Sequence, residues 1–373
     1  MKVVAAIDSF KGSMTSMEAG NAVKKGILAA KPDAEVVVNP LADGGEGTVD
    51  ALIEGLGAEK IPVTVAGPLG EKVSCYYGFL EETKTAVMEM ASAAGITLVT
   101  KKDPLRASTY GVGEMIADAL KRGCKNFMIG IGGSATNDGG IGMLKALGFE
   151  FFDEDGNDVG EGAAALVKIE VIRTENKNPL LSGAKFQIAC DVKNPLCGKQ
   201  GATYIFGPQK GVTEEQKEQV DEAMRHYADV TKESLDCDFA DCEGAGAAGG
   251  LGYAFLSYLA GELIPGVELI LQATGLEEKM KNADVVVTGE GRLDAQTVMG
   301  KAPAGVAALA KKYNAKVIAF AGSVASEAKV CNRAGIDAFF PIVRGVTTLE
   351  EAMKKENAME NIAATAEQVF RLL

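Results

Sequence analysis

The residues best suited to chemistry in this chain stand together in one glycine-rich stretch, residues 130–140 with the sequence GIGGSATNDGG. An apolar run at 126–131 precedes it and predicts a strand, and the spacing at 141–147 predicts a helix. A strand, a glycine loop and a helix form an arrangement that binds phosphate, because glycines let an anion approach the backbone and the helix N-terminus directs N–H groups at it. The loop is therefore predicted to bind a phosphate or another anion.

This loop also holds more polar side chains than the packing of a turn requires. They are Ser134, Thr136, Asn137 and Asp138. We expect these side chains to face a ligand or a metal ion, although a tight turn without a ligand is an equal alternative for any single loop. The chain holds three more loops of the same kind, which favours ligand binding: 42–48 (ADGGEGT), 244–250 (GAGAAGG) and 288–294 (TGEGRLD).

Cations and carboxylates accompany these loops. The cations are Lys11, Lys210, Arg292 and Lys301. The carboxylates are Asp8, Asp43, Asp138, Asp191, Glu290 and Asp294. The mixture suits phosphoryl transfer, which needs cations and N–H groups around the transferring oxygens, carboxylates to hold Mg²⁺, and a carboxylate base for an alcohol.

Length and composition exclude several classes of protein. A chain of 373 residues is expected to form two domains, because single cores stop growing at about 250–300 residues. A net charge of −13 argues against nucleic acid as a partner. With His226 as the single histidine, histidine triads and histidine-rich metal sites are nearly excluded. No membrane span or signal peptide is visible in the sequence, so we expect a cytoplasmic protein without a membrane partner.

Both ends of the chain predict βα units. The N-terminal end begins with a buried strand at 3–8, a helix after the capping box Thr15-x-x-Glu18, and a second strand at 35–39. The same texture returns in strands at 284–288 and 316–320. In such doubly wound sheets ligands lie beyond the carboxyl ends of the strands, where Asp8 and Lys11 fall.

The region between the two ends alternates more strongly, as in the antiparallel or edge strands predicted at 61–65 and 73–79. The predicted fold is therefore α/β with two domains. Residues 1–66 and 282–373 form a discontinuous, doubly wound parallel-sheet domain of the Rossmann or flavodoxin type. Residues 67–281 form an inserted mixed α/β domain, and the active site is predicted in the cleft between the two.

The residues leave two alternatives to a phosphoryl-transfer enzyme open. The P-loop pattern is absent, because Gly300-Lys301 is followed by Ala302. Gly130-x-Gly132-x-x-Ala135 fits the looser dinucleotide fingerprint, with Glu150 about twenty residues further on, so an NAD(P)-dependent dehydrogenase of a small hydroxy acid is one alternative. A small-anion sensor or storage protein is the other, although pure anion binding gains nothing from the loop carboxylates.

Seven sequence blocks, in order from residue 3 to about 345, resemble those of the bacterial class I glycerate kinases. They are 8–13 (DSFKGS), 42–48, 132–140, 190–196 (CDVKNPL), 207–211 (GPQKG), 246–250 and 288–303. The resemblance implies an ATP- and Mg²⁺-dependent kinase that phosphorylates D-glycerate to 2-phosphoglycerate, with 3-phosphoglycerate as the other product to consider. It also implies two α/β domains, one of them made from both ends of the chain.

With that activity in view, we assign roles to the candidate residues as hypotheses. Either Asp191 or Asp294 is the base, and Asp191 ranks first because it ends a strand; Lys11 is a further catalytic candidate. The substrate-binding candidates are Asp8, Ser9, Lys11, Arg292 and Lys301. The nucleotide- or phosphate-binding candidates are Gly132, Gly133, Ser134, Thr136, Asn137, Asp138 and Lys210. The Mg²⁺-binding candidates are Asp43 and Glu290.

Overall fold

The fold is that of a computed structural model, which describes residues 1–42 and 48–373. The strands of this part of the chain are β1 Lys2–Ile7, β2 Glu35–Pro40, β3 Glu59–Ala66, β4 Lys72–Leu80, β5 Thr85–Glu89, β6 Asn126–Gly130, β7 Glu150–Phe152, β8 Val171–Arg173, β9 Lys185–Ala189, β10 Glu262–Ile264, β11 Val285–Leu293, β12 Lys316–Val324 and β13 Ala338–Pro341. Its α-helices are α1 Ser16–Ala30, α2 Thr48–Leu56, α3 Ala91–Ala94, α4 Tyr110–Lys121, α5 Ile141–Ala146, α6 Ala163–Leu166, α7 Ala202–Lys210, α8 Lys217–Leu235, α9 Leu251–Leu259, α10 Gly266–Ala273, α11 Leu276–Met280, α12 Ala302–Lys311, α13 Val330–Arg333, α14 Leu349–Met353 and α15 Lys355–Arg371.

The first sheet is entirely parallel, in the order β13-β12-β11-β1-β2. Its central strand β1 is buried from Val3 to Ile7, as a strand covered on both faces must be. Numbered along the chain, the strands follow the flavodoxin order 2-1-3-4-5, which reverses direction between β1 and β11. The doubly wound α/β fold predicted from the two chain ends is thus confirmed.

Helix α1 begins where the capping box predicts. The Glu18 N–H donates to Thr15 Oγ1 at 3.3 Å, and the Thr15 N–H donates to Glu18 Oε2 at 3.0 Å. Its apolar face, which includes Val23 and Ile27, shares one buried cluster with the sheet and with Phe370 of α15. This packing fixes β1 and the loop that follows it.

The second sheet is mixed, in the order β10-β9-β6-β5-β4-β3. Strands β5, β6, β9 and β10 are parallel, whereas β3, β4 and β5 pair antiparallel, as the alternation at 61–65 and 73–79 predicts. Phe127 of β6 stacks on Phe186 of β9 with ring centroids 4.7 Å apart. A hairpin of β7 and β8 forms a separate small sheet. Within the second sheet the strands follow one another in chain order without a reversal.

The described chain divides into two compact units. The first unit comprises residues 1–42, Asp50–Ala58 and Val267–Leu373, and the second comprises residues 48–49 and Glu59–Gly266. The sequence pattern predicts divisions at 66 and 281 instead.

Strand pairing accounts for the first difference in the divisions, and a long-range hydrogen bond accounts for the second. Strand β3 pairs with β4 along its whole length, from Glu59↔Phe79 to Ala66↔Lys72, and so belongs to the second sheet. The segment after Val267 is held to the first unit at β2, because Asn39 Nδ2 donates to Thr274 Oγ1 at 3.0 Å.

In the described part of the chain, no helix has both the length and the apolar character needed to cross a membrane.

Candidate active site

The first unit contains a hollow of about 450 Å³ beyond the carboxyl ends of its strands, which we call the first hollow. Its lining comes from the segments that follow β1, end β11 and β12, and follow β13, together with α14 and α15. The polar and charged lining residues include Asp8, Ser9, Lys11, Ser13, Glu290, Arg292, Asp294, Lys301, Ser323 and Asn361. The structure therefore brings together the predicted substrate-binding residues with the candidate base Asp294 and the candidate metal ligand Glu290.

Glu290 stands at the centre of a buried hydrogen-bonded group in the first hollow. Thr297 Oγ1 donates to Glu290 Oε1 at 2.6 Å, and Lys301 Nζ lies 3.5 Å from Glu290 Oε2. Burial raises the pKa of Glu290, and the contacts with Thr297 and Lys301 oppose that rise. The group thus places a cation and a carboxylate side by side at the end of β11.

Asp294 begins the short 3₁₀ turn Ala295–Val298. Its Oδ1 accepts the Gln296 N–H at 2.9 Å, and its own N–H donates to Thr297 Oγ1 at 3.2 Å. Arg292 Nε lies 3.6 Å from Asp294 Oδ2, and the Arg292 side chain is 67% exposed. The exposed guanidinium can therefore reach an anionic ligand while its Nε remains beside Asp294.

The loop after β1 supplies the other predicted residues of the first hollow. Asp8 is buried, and its Oδ1 accepts the Ser9 N–H at 2.7 Å. Lys11 is exposed, and Gly12 follows it with a positive φ of 78°. Because β1 and β11 are hydrogen-bonded parallel neighbours, their carboxyl-terminal loops meet at the same edge of the sheet.

The second unit contains a hollow of about 390 Å³, which we call the second hollow. It lies beyond the carboxyl ends of β6 and β9, which pair in parallel from Asn126↔Lys185 to Gly130↔Ala189. Its lining includes the predicted residues Gly132, Gly133, Ser134, Asp191 and Lys210. The apolar lining residues Ile96, Val192 and Phe206 are not predicted by the sequence analysis.

Asp191 lies two residues beyond the carboxyl end of β9 at Ala189, and it is exposed. Its Oδ1 accepts the N–H of Gly266 at 2.9 Å. That hydrogen bond orients the carboxylate at the opening of the second hollow. Geometry of this kind suits a carboxylate that must meet a substrate hydroxyl in a fixed direction.

Lys210 is the last residue of α7, and its side chain is almost completely buried. Its ammonium donates to the carbonyl oxygen of Thr136 at 2.7 Å. Burial lowers the pKa of Lys210 to about 7, and the nearby Asp138 carboxylate opposes that shift. An anion in the second hollow would therefore meet a lysine whose charge changes near neutral pH.

Asp138 serves the glycine loop itself. Its Oδ2 accepts the Thr109 N–H and the Thr109 hydroxyl, both at 2.8 Å, and the Gly142 N–H at 3.3 Å. Its Oδ1 accepts the Gly140 N–H at 3.2 Å. Burial raises the pKa of Asp138, and these four donors oppose the rise. The N–H groups at the start of α5, which the sequence assigns to phosphate, thus donate to Asp138.

Thr136 and Asn137 are also fully buried, and Asn137 Nδ2 donates to Thr203 Oγ1 at 3.0 Å. Neither residue, nor Asp138, is among the described residues that line the second hollow. The expectation that these three side chains face a ligand therefore finds no support in the described geometry. Gly132, Gly133 and Ser134 are the part of the loop that lines the hollow.

The predicted metal ligands are Asp43 and Glu290. Asp43 lies outside the described residues. Among residues 1–42 and 48–373, no group of three or more histidine, cysteine, aspartate or glutamate side chains is arranged to hold a metal ion. Mg²⁺ in enzymes is often held by only one or two carboxylates together with substrate phosphates, and Glu290 and Asp294 fit that requirement.

The geometry does not fit the dehydrogenase alternative. In the dinucleotide fold the fingerprint glycines open the helix directly, whereas here β6 ends at Gly130 and α5 begins only at Ile141. Glu150, the residue assigned to a ribose, lies in the hairpin strand β7 and accepts a hydrogen bond from Asn176 Nδ2 at 2.9 Å. The comparisons with known proteins offer this alternative no support either.

The first sheet is flavodoxin-like and carries cations and carboxylates at its carboxyl edge. The second sheet carries a glycine loop and a buried lysine. Together these features indicate an α/β enzyme that binds anionic ligands. The model of the glycerate kinase family matches residues 3–373. The glycerate kinase of Bacillus subtilis (strain 168) is 44% identical to this chain over 371 residues, which are 99% of this chain and 97% of the relative. The chain therefore belongs to the glycerate kinase family, and it is an ATP-using kinase with an alcohol group as acceptor.

Two further comparisons agree with this membership. The glycerate 2-kinase of Escherichia coli (strain K12) is 45% identical over 372 residues, which are 98% of each chain. A crystal structure from Salmonella typhimurium LT2, described as that of a candidate glycerate kinase 2, matches with a TM-score of 0.91 and 43% identity. That match covers 99% of this chain and 97% of the other, so the similarity in fold extends over both units.

Proposed function

We propose that this protein catalyses the ATP-dependent phosphorylation of D-glycerate to 2-phosphoglycerate. The observation that carries the proposal is the near full-length similarity to proteins named glycerate kinase, among them one named glycerate 2-kinase. Transfer to the other hydroxyl would give 3-phosphoglycerate, and the two products differ in which carbon bears the phosphate.

Both substrates are anions, so each needs its own binding site. Because the chain has a net charge of −13, which repels anions, each site must supply positive charge locally. In the first hollow, Lys11, Arg292 and Lys301 supply positive charge. In the second hollow, Lys210 supplies it, and the backbone at 132–133 approaches the ligand without side chains. Each set is suited to either the glycerate carboxylate or the phosphates of ATP.

Asp191 is our first choice for the base that takes the proton of the glycerate hydroxyl. It is exposed at the second hollow, and the Gly266 N–H orients it. Asp294, which lines the first hollow, is the second choice.

Glu290 and Asp294 are the described residues that would hold Mg²⁺, and Asp43 remains a candidate outside the described residues. Held there together with ATP, the ion would supply positive charge to the phosphate oxygens. The residues of the chain orient the phosphates and the acceptor hydroxyl, which is most of what this class of reaction asks of a protein.

An assay of ADP formation, coupled to pyruvate kinase and lactate dehydrogenase, tests the proposal. We expect ADP formation that requires D-glycerate. In a second experiment the reaction runs with EDTA in place of free Mg²⁺ and is then quenched, and the coupling enzymes are added afterwards with excess Mg²⁺ to measure ADP. We expect no ADP in that sample. ADP formation at the same rate without glycerate would contradict the proposal. So would reduction of NAD⁺ by glycerate in the absence of the coupling enzymes.

A further inference from the structure

Part of the lining of the first hollow is apolar. This part includes Ile342, Val343, Leu349, Ala352 and Met353, which we call the apolar wall. Leu349 is 75% exposed and Met353 is 37% exposed, so burial in the protein core does not explain their type. They lie four residues apart on α14 and so share one face of the helix.

The apolar wall begins next to the cations of the first hollow. Met353 Cε lies 3.1 Å from the place that a Cβ on Gly12 would take, and Gly12 is the neighbour of Lys11. Lys11, Arg292 and Lys301 line the same hollow as Leu349 and Met353. A ligand of the first hollow therefore meets positive charge and an apolar surface together.

The two substrates of the proposed reaction differ in their use of such a surface. D-glycerate carries a carboxylate and two hydroxyls on three carbons, and it has no apolar face to bury. ATP has a flat purine ring at one end and anionic phosphates at the other. A cleft of about 450 Å³ that combines apolar side chains with charged ones has the size and the chemistry to hold a ligand such as a nucleotide.

Sheet topology gives an independent reason. The first hollow lies where the strand order of the first sheet reverses, between β1 and β11. In doubly wound sheets, nucleotides bind in the crevice outside the carboxyl ends of the strands at this reversal. The second sheet runs from β3 to β10 in chain order, and so the described strands there form no such reversal.

We propose that the first hollow is the nucleotide site, with the purine ring packed on Leu349 and Met353 and the phosphates at Lys11, Arg292 and Lys301. The thioether of Met353 is well suited to contact with an aromatic ring. The inference rests on the proposed function, and it assigns the second hollow, with Asp191 and Lys210, to glycerate. It names a base-binding surface that the activity alone does not identify.

Calorimetric titrations with two Mg²⁺-bound ligands test the inference. ADP has a purine ring, whereas inorganic tripolyphosphate carries phosphates without a base. The variants are Leu349→Asn and Met353→Gln, and the matched control is Leu180→Asn, whose side chain is 40% exposed in the second unit. All three positions are partly or largely exposed, so folding is expected to survive, and circular dichroism checks it.

We expect each wall variant to weaken ADP binding by roughly tenfold, because contacts of one or two methylenes in an apolar pocket have effects of this size. Tripolyphosphate binding should stay within about twofold of the unmodified protein for every variant. Leu180→Asn should change neither ligand. KM for D-glycerate should also stay within about twofold in the wall variants.

Equal losses for ADP and tripolyphosphate, or no loss for either, would overturn the inference. The rival position for the base is Phe206, a half-buried aromatic residue of the second hollow. If Phe206→Leu weakens ADP binding and the wall variants do not, the base belongs there. Because the titrations need no glycerate, they can fail while the kinase assay succeeds, and the reverse also holds.

Discussion

Lys210 is buried, unlike an ordinary surface lysine, and this burial changes its pKa. Its pKa is about 7 in the folded protein, against 10.5 for an unperturbed lysine. Between these two pH values the unfolded chain binds a proton that the folded protein does not. The contribution of Lys210 to the free energy of unfolding must therefore rise with pH across this window, by up to about 1.4 kcal/mol per pH unit.

Urea unfolding of the unmodified protein and of Lys210→Met at pH 7.5 and 9.0 checks this prediction. The difference between the two proteins isolates Lys210, because cysteines with raised pKa values, such as Cys75, act in both. From pH 7.5 to pH 9.0, we expect the free energy of unfolding of the unmodified protein to increase by about 2 kcal/mol more than that of the variant. A constant difference would show that Lys210 keeps its proton throughout.

Asp191 tests the assignment of the base. Asp191→Asn keeps the size of the side chain and removes its ability to accept a proton, so kcat should fall by roughly 10²–10⁴ while KM for both substrates changes only a few-fold. Asp155→Asn, at an exposed turn of the same unit, is the matched control and should leave kcat unchanged. If Asp294→Asn shows the large fall in kcat and Asp191→Asn does not, the base is Asp294.

At the scale of residues, the sequence predicts which side chains lie at strand ends but not which way each one points. Asp8, Asp191 and Glu290 line the hollows because a residue at the carboxyl end of a parallel strand lies at the ligand-binding edge. Asp138 turns inward because Thr109, 29 residues earlier, offers it two donors. That partner is brought near only by the folded chain.

The element that holds the second hollow in shape is the glycine loop, and Gly249 shows how tightly it packs. Gly249 has a φ of 70°, and its carbonyl accepts the Gly139 N–H at 2.9 Å. A Cβ on Gly249 would overlap the Thr136 carbonyl oxygen and lie 2.6 Å from Asn137 Cα. Both of these are backbone atoms, so no side-chain rotation can relieve the overlap.

Gly249→Ala should therefore lower the free energy of unfolding by more than about 3 kcal/mol and reduce kcat/KM. Gly183→Ala is the control, because Gly183 has a similar φ of 76° and no atom lies within 4 Å of its Cβ position among the described residues. It should cost only the strain of the left-handed backbone, about 1–2 kcal/mol. Urea denaturation measures both, and equal losses would contradict the packing argument.

Strands that coincide with apolar runs are predicted well. Strands β1 and β6 lie within one residue of the positions predicted at 3–8 and 126–131. The sequence predicts a helix over 350–372, and the structure divides this segment into α14 and α15. The binding surface proposed on α14 is not predicted, because the four-residue spacing of Leu349 and Met353 does not by itself identify such a surface.

At the scale of the whole molecule, the sequence predicts the α/β class and the parallel first sheet, and the structure bears out both. It does not reveal that β3 joins the second sheet or that α10 packs with the first unit. Strand β3 is placed by its pairing with the next strand, β4, whereas the place of α10 depends on contact between distant parts of the chain, such as Asn39 with Thr274. Local periodicity carries no information about such pairs.

Nucleotide binding should also stabilise the whole molecule. A ligand at one hundred times its Kd adds about 2.7 kcal/mol to the free energy of unfolding of the protein that binds it. Saturating ADP with Mg²⁺ is therefore expected to raise the melting temperature by several degrees, and less in Leu349→Asn at the same ADP concentration. A melting temperature that does not respond to ADP would count against a nucleotide site in the folded protein.

The most direct test of the central claim is the proton-coupled ³¹P NMR spectrum of a mixture of the protein with ATP, Mg²⁺ and D-glycerate. In 2-phosphoglycerate the phosphorus couples to the single proton on C2, so we predict a new phosphomonoester doublet that grows as ATP is converted to ADP. A triplet would reveal transfer to the C3 hydroxyl and contradict the assignment of the product. Inorganic phosphate as the only new signal would contradict glycerate kinase activity itself.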